Sequence, residues 1–250
     1  MRRRLLLIAL FFSTLSFAQV NVRDSLVQGW LIHISASYNM KGGDFSEHFL
    51  PNFSIGGDLQ YKWKSNWFLS VGGRYHFGDK LRDPYAIFGD LLTSSGELLA
   101  LNGEYATVTF RERGWNGSVD VSYLFNQLGH NPNSGVMLGL GLGYNAHWID
   151  VRNQQDNTPQ IQDEYLRGYD RYTQGFMTRQ YLGYHFAGDQ RSVNFTIGFE
   201  FMQGFNSNNR EYNYNTRMFD TGTKLDYYYG LRVSWFLPIY NENAQKFYYY

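Results

Sequence analysis

The stretch from Phe53 to Phe77, FSIGGDLQYKWKSNWFLSVGGRYHF, sorts its side chains by parity. Phe53, Ile55, Gly57, Leu59, Tyr61 and Trp63 fall on one face and Ser54, Gly56, Asp58, Gln60 and Lys62 on the other, an alternation that an extended strand produces and a helix does not. Lys64-Ser65-Asn66 reads as a tight turn. Beyond it Trp67, Leu69, Val71, Tyr75 and Phe77 continue the apolar face opposite Ser70, Gly72, Arg74 and His76.

Six more segments repeat this period of two: Trp30 to Tyr38, Trp115 to Phe125, Val136 to Trp148, Phe176 to Phe186, Val193 to Phe201 and Leu225 to Trp235. The segment from Phe176 is the poorest, because Thr178 and Gln180 share a face with Phe176, Leu182, Tyr184 and Phe186. Repeated segments of about ten alternating residues are the pattern of membrane barrels. The connections also alternate in length. Those at Lys64 to Asn66, Asn126 to Ser134 and Ala187 to Arg191 are short, and the others are longer, as periplasmic turns and extracellular loops are. A soluble lipocalin or β-sandwich alternates as well, but needs neither large apolar residues on eight faces nor alternating loop lengths. The expected fold is therefore all-β, an eight-stranded antiparallel up-and-down transmembrane β-barrel over residues 19–240, in a bacterial outer membrane.

Composition agrees. The chain holds 21 Tyr, 20 Phe, 6 Trp and 26 Gly in 250 residues, a mixture that favours strands and turns. Arg2, Arg3 and Arg4, the apolar run Leu5 to Phe12 and Ser16-Phe17-Ala18 read as a signal peptide over residues 1–18. Its removal takes away three arginines and leaves 22 − 3 = 19 basic against 22 acidic side chains, which argues against nucleic acid as a partner. Cysteine is absent, so an exported chain must be stabilised without disulfides, and barrel closure in lipid can do this.

The inward faces collect Lys62, Arg74, Arg179 and Arg232 with Asp58, Asp120, Glu200 and Asp226, four positive against four negative. An isolated charge in a low-dielectric interior is costly, so balanced numbers point to a salt-bridged plug that seals the lumen; a pore is the alternative. His33 and Ser35 share an inward face, as a nucleophile and its base would, but no third partner is legible. No metal-ligand spacing occurs, so neither catalytic residue, metal nor other cofactor is expected; a lipid A-modifying barrel is the enzymatic alternative.

Three outer connections, roughly Gly78 to Glu104, Ile149 to Tyr172 and Gly204 to Thr223, are too long for simple closures. In the first, Asn102-Gly103 between Glu97–Leu101 and Glu104–Val108 predicts a hairpin with a type I′ turn. In the second, Tyr165, Tyr169, Asp170 and Arg171 are candidates for surface binding, since tyrosine beside small polar groups suits adaptable recognition.

Asn102-Gly103-Glu104-Tyr105-Ala106, Glu112-Arg113-Gly114, Asn131-Pro132-Asn133-Ser134-Gly135, Pro159-Gln160 and Gly168-Tyr169-Asp170-Arg171 together resemble a family of small outer-membrane barrels from Bacteroidota, similar to the OmpX and OmpA barrels. The resemblance implies fold and location, no established activity, and a protein partner from a secretion or outer-membrane assembly complex. Tyr228, Gly230, Val233 and Trp235 are spaced like the C-terminal signal read by the barrel-insertion machinery, although here Pro238 is expected to end the strand and a tail follows. That tail, residues 241–250 ending in three tyrosines, is expected to be an aromatic interfacial anchor in the periplasm.

Overall fold

The computed structural model describes residues 25–153, 158–188, 193–210 and 212–240; the expected signal peptide and the aromatic tail lie outside them. Eight strands, β1 (Gly29–Gly43), β2 (Asn52–Lys62), β3 (Trp67–Gly78), β4 (Val108–Phe125), β5 (Gly135–Asn153), β6 (Thr173–Ala187), β7 (Asn194–Asn208) and β8 (Thr223–Tyr240), form one antiparallel sheet. β1 pairs with β2 on one side and β8 on the other, so the sheet closes.

The register fixes the stagger. A row of paired residues followed around the barrel runs Met40, Tyr229, Phe201, Gln180, Leu140, Val121, Leu69, Tyr61 and Trp30. It returns to β1 displaced by 40 − 30 = 10 residues. Eight strands with a shear of ten tilt by roughly 40° and enclose an interior just wide enough for side chains.

The face carrying the large apolar residues points outward. Leu142 is 71% exposed and Phe199 68%, and Ile34, Ile55, Val71, Val119 and Leu231 are exposed like them. Rings bound this belt: Trp30 with Tyr61, and Trp67 with Tyr123, at the short-turn end; Tyr38 with Phe53, and Tyr144 with Phe176, at the long-loop end. An apolar exterior between aromatic girdles on a closed sheet is a transmembrane barrel of the outer-membrane type, since closure leaves no backbone group unpaired in lipid.

Several boundaries differ from the sequence reading. β1 extends past Tyr38 to Gly43, β4 begins at Val108 rather than Trp115, β5 reaches Asn153, and β7 reaches Asn208. Ile149–Asn153 and Gly204–Asn208, assigned above to loops, are therefore strand. Backbone pairing continues past the point where lipid stops selecting apolar residues, so alternation marks the membrane and not the ladder. β8 also runs through Pro238, because beyond Trp235 it has no partner on the β7 side and proline is tolerated at such an edge. The hairpin of Leu98–Leu99 with Tyr105–Ala106 forms as expected, but only Gly103 has a positive φ, of 80°. Type I′ needs two such residues. The loop Leu101-Asn102-Gly103, closed by Gly103 N–H to Ala100 C=O at 3.0 Å and Ala100 N–H to Glu104 C=O at 2.9 Å, is a three-residue turn instead.

An arginine at Leu140, mid-belt, should lower stability in lipid vesicles by about 2–4 kcal/mol. The same substitution at Leu101 on a loop tip should stay within about 0.5 kcal/mol. Urea unfolding from vesicles compares them, and equal effects would remove Leu140 from the hydrocarbon layer.

Candidate functional site

Six of the eight expected lumen charges meet at mid-height. Arg74 reaches Asp58 at 3.4 Å and Glu200 at 3.3 Å, Arg179 reaches Asp120 at 2.9 Å and Glu200 at 3.0 Å, and Arg232 closes on Asp58. Ser37 Oγ donates to Glu200 at 3.1 Å and Ser118 Oγ to Asp120 at 2.9 Å. Seven strands thus contribute a polar side chain to one layer. The eighth, β5, faces the charged layer with Gly139 and Gly141. A side chain at Gly141 would run into the Asp120 carboxylate, so glycine supplies the room that the ion pairs occupy.

Lys62 and Asp226 stand apart from this layer. Lys62 lies at the short-turn end, donating to Val27 C=O and Asn66 Oδ1, both at 3.1 Å. Asn133 binds the same N-terminal segment through Val27 N–H at 3.0 Å and Ser25 C=O at 2.8 Å, drawing it across the barrel mouth. Asp226 lies at the other end and accepts from Asn206 at 2.5 Å, with His147 Nε2 at 2.9 Å. A further buried pair, Lys41–Glu112 at 2.9 Å with Asn52 donating to Glu112 at 2.6 Å, escaped the sequence reading. Both residues sit on the strand extensions beyond the apolar alternation; continuing the inward parity past Tyr38 and before Trp115 would have found them.

Apolar layers close the lumen on both sides of the charges. Leu31, Phe68, Leu124, Met137 and Phe236, with Val27, fill the short-turn end. Toward the long loops, Met177, Met202 and Tyr228 meet Phe45 and Phe49, which the short helix α1 (Phe45–His48) and the residue after it bring inward. Phe45 packs on His147 at 4.2 Å and Tyr228 at 4.8 Å, and the Lys41 ammonium lies 3.9 Å from its ring centre. Between the layers, a cavity of about 30 Å³ beside Asp58, Asp120, Arg179 and Arg232 has room for roughly one water. His33 binds Ser234 and Gln60 at 3.0 and 3.1 Å, so both ring nitrogens are engaged and Ser35 is not among its partners.

Of the loop candidates, only Tyr165 faces out, at 64% exposure. Tyr169, Asp170 and Arg171 are buried within the crown and cannot present a recognition surface there. Tyr169 packs near Phe88 and Tyr214, Asp170 holds Arg210 at 2.7 Å, and Arg171 donates to Asn215 at 2.8 Å. Besides Tyr165, the crown's most exposed apolar residues are Leu101 at 76%, Phe219 at 73%, and Met218 and Tyr105 on the two small hairpins. Turn grammar predicts the hairpin at Asn102-Gly103 but not the one that pairs Tyr212–Asn213 with Met218–Phe219, and it says nothing of which residues stand clear. The residues spaced like an assembly signal lie on the closing strand, Tyr228 and Gly230 turned inward and Val233 and Trp235 toward lipid. Among the described residues no group of three or more His, Cys, Asp or Glu is arranged to hold a metal.

A cavity of about 180 Å³ opens under α1 between His48, His147, Arg171, Lys224 and Asp226. Burial lowers His48 to about 4, with the positive Arg171 and Lys224 and nearby His147 acting in the same direction and Asp220 against it. Because this value lies below the ordinary 6.5, the contribution of neutral His48 is present above about pH 6.5 and lost as pH falls toward 4. Protection factors of the Phe45–Phe49 amides, corrected for the intrinsic pH dependence of exchange, should fall over that interval, and His48→Gln should flatten the response. For the central layer, Glu200→Leu should cost about 3–5 kcal/mol in urea unfolding from vesicles, since Arg74 and Arg179 each lose a carboxylate. Glu200→Leu with Arg74→Leu should recover most of it, because Arg179–Asp120 and Arg232–Asp58 remain. A single variant with an unshifted midpoint would mean that the network contributes nothing to stability.

The chain matches no family model and no curated protein. Among solved structures it is similar to Ail, the attachment invasion locus protein of Yersinia pestis, at 8% identity and a TM-score of 0.44 over 84% of this chain and 99% of that one. It is likewise similar to Neisserial surface protein A (10%, TM-score 0.44, 83% and 96%) and to the N-terminal β-barrel domain of Pseudomonas aeruginosa OprF (12%, TM-score 0.38, 84% and 99%).

Proposed function

We propose that this chain is a sealed, non-enzymatic outer-membrane barrel whose lumen is scaffold and whose extracellular crown binds a protein, as a surface binder or an accessory subunit of an envelope complex. The observation that carries the reading is the closed sequence of layers inside: apolar side chains, six interlocked charges, then apolar side chains again. Among the described residues those layers fill the lumen on both sides of the charges, and the crown carries a group of strongly exposed apolar side chains. Leu101, Tyr105, Tyr165, Met218 and Phe219 are the contact residues in this reading. Tyr228, Gly230, Val233 and Trp235 on β8 are the segment offered to the barrel-insertion machinery, since β8 is the strand whose pairing with β1 completes the sheet.

Three measurements test the reading. In planar bilayers the purified protein should show no steady channels, and stable unitary conductance would favour a transport barrel instead. In cells, crosslinking followed by native purification should recover a fixed partner, and serine at both Leu101 and Phe219 should reduce its recovery while the barrel still folds. A chain that remains without any partner, together with an altered lipid A mass profile on its deletion, would favour the enzymatic alternative.

A further inference from the structure

Between the two aromatic girdles, the outward positions of the eight strands are apolar or glycine with three exceptions: Thr178 and Gln180 on β6, and Gln203 on β7. The three are neighbours. Thr178 is paired with Gln203 across the strands, and Gln180 is the next outward residue toward the short-turn end. Phe176 and Phe205 lie above them and Leu182, Phe199 and Phe201 lie below and beside them, so the seam runs from the outer girdle into the middle of the belt.

Its hydrogen bonds are incomplete. Gln180 Nε2 donates to Thr178 Oγ1 at 3.3 Å, and Thr178 Oγ1 donates to Gln203 Oε1 at 3.5 Å. Gln180 Oε1, tucked against the wall, is left without a donor, and the hydrogen bond that ties Gln203 to the seam uses its Oε1, not its amide nitrogen. Hydrocarbon offers neither group a partner, and an amide held there without hydrogen bonds is costly. Nothing inside the barrel requires these residues, since their side chains point away from the lumen.

We infer that the β6–β7 outer face is where a second copy of this chain packs in the membrane. Two copies inserted the same way can be related by a two-fold axis along the membrane normal, and such a contact must be self-complementary. A glutamine amide meets that condition, because it carries donor and acceptor together and can pair with its own image. The axis keeps each residue at its depth, so Gln203 meets Gln203 and Gln180 meets Gln180, with Leu182 and Phe199 supplying apolar contact around them. This inference does not depend on what the crown binds.

The chain has no cysteine, so single cysteines report proximity. Leu182→Cys and Phe205→Cys flank the seam and leave its amides intact, while Val71→Cys lies on β3 across the barrel. Under oxidation in native membranes and in vesicles holding the purified full-length protein, the first two should give disulfide-linked dimers and the third should not. Adding Thr178→Val, Gln180→Leu and Gln203→Leu to either should lower the dimer fraction by roughly tenfold, the size expected of two membrane hydrogen bonds. Heat-modifiable migration in gels confirms that this apolar variant still folds. The inference is overturned if Val71→Cys links as well as the others, if the apolar variant dimerises unchanged, or if linkage occurs only to a different polypeptide.

Discussion

The ladder between β1 and β8, fifteen residue pairs from Gly29–Tyr240 to Gly43–Asp226, is the constraint on which everything else rests. Without it the sheet has two open edges in a solvent that cannot hydrogen-bond them, and no apolar belt could compensate for a row of bare amides. With it, strand number and stagger are set together, and they determine how much side-chain volume the interior must take. The alternating sequence then has only one way to face, because a slip of one residue would turn Arg74 and Glu200 into lipid and Ile55 and Phe199 into the lumen.

The interior answers a narrow problem. A lumen of this girth has to be filled, and lining it with charge is expensive unless every group finds a counterpart. Asp58, Arg74, Asp120, Arg179, Glu200 and Arg232 come from six different strands, so their pairing is satisfied only when all six are in register. An apolar filling would serve stability as well or better. The ion pairs are met only in this register, and glycine at 141 leaves the space that the Asp120 carboxylate occupies among them.

Much of this could be read from residues alone, and the limits are instructive. Period-two alternation locates strands wherever lipid selects against polar side chains on one face, which is why Trp30 to Tyr38 and Phe53 to Trp63 were legible. Above the membrane that selection ends, so Lys41 and Glu112 became invisible although they form a buried pair on continuing strands. Partnering within the lumen was legible as a set but not pair by pair, since the shear that brings Arg179 beside Glu200, and leaves Lys62 and Asp226 at opposite ends, depends on closure. In the loops, the tyrosine and aspartate content of residues 165–171 suggested a surface; the fold spends Tyr169, Asp170 and Arg171 on holding the crown together and exposes Tyr165 with the apolar residues of the two hairpins. The outward Thr178 and Gln180, which weakened the sequence pattern of β6, are a departure with its own physical content.

The N-terminal segment bears on how the molecule responds to mechanical load. Ser25 and Val27 are fastened to the barrel rim by Asn133 and Lys62 through a few hydrogen bonds, and Val27 is part of the apolar layer beneath the charges. Tension applied at Ser25 would therefore reach those rim contacts before it reached the β1 ladder. The strap would peel before any strand unzipped, uncovering the underside of Leu31 and Phe236 while the cylinder stayed whole, so the periplasmic floor is the mechanical fuse of an otherwise rigid wall.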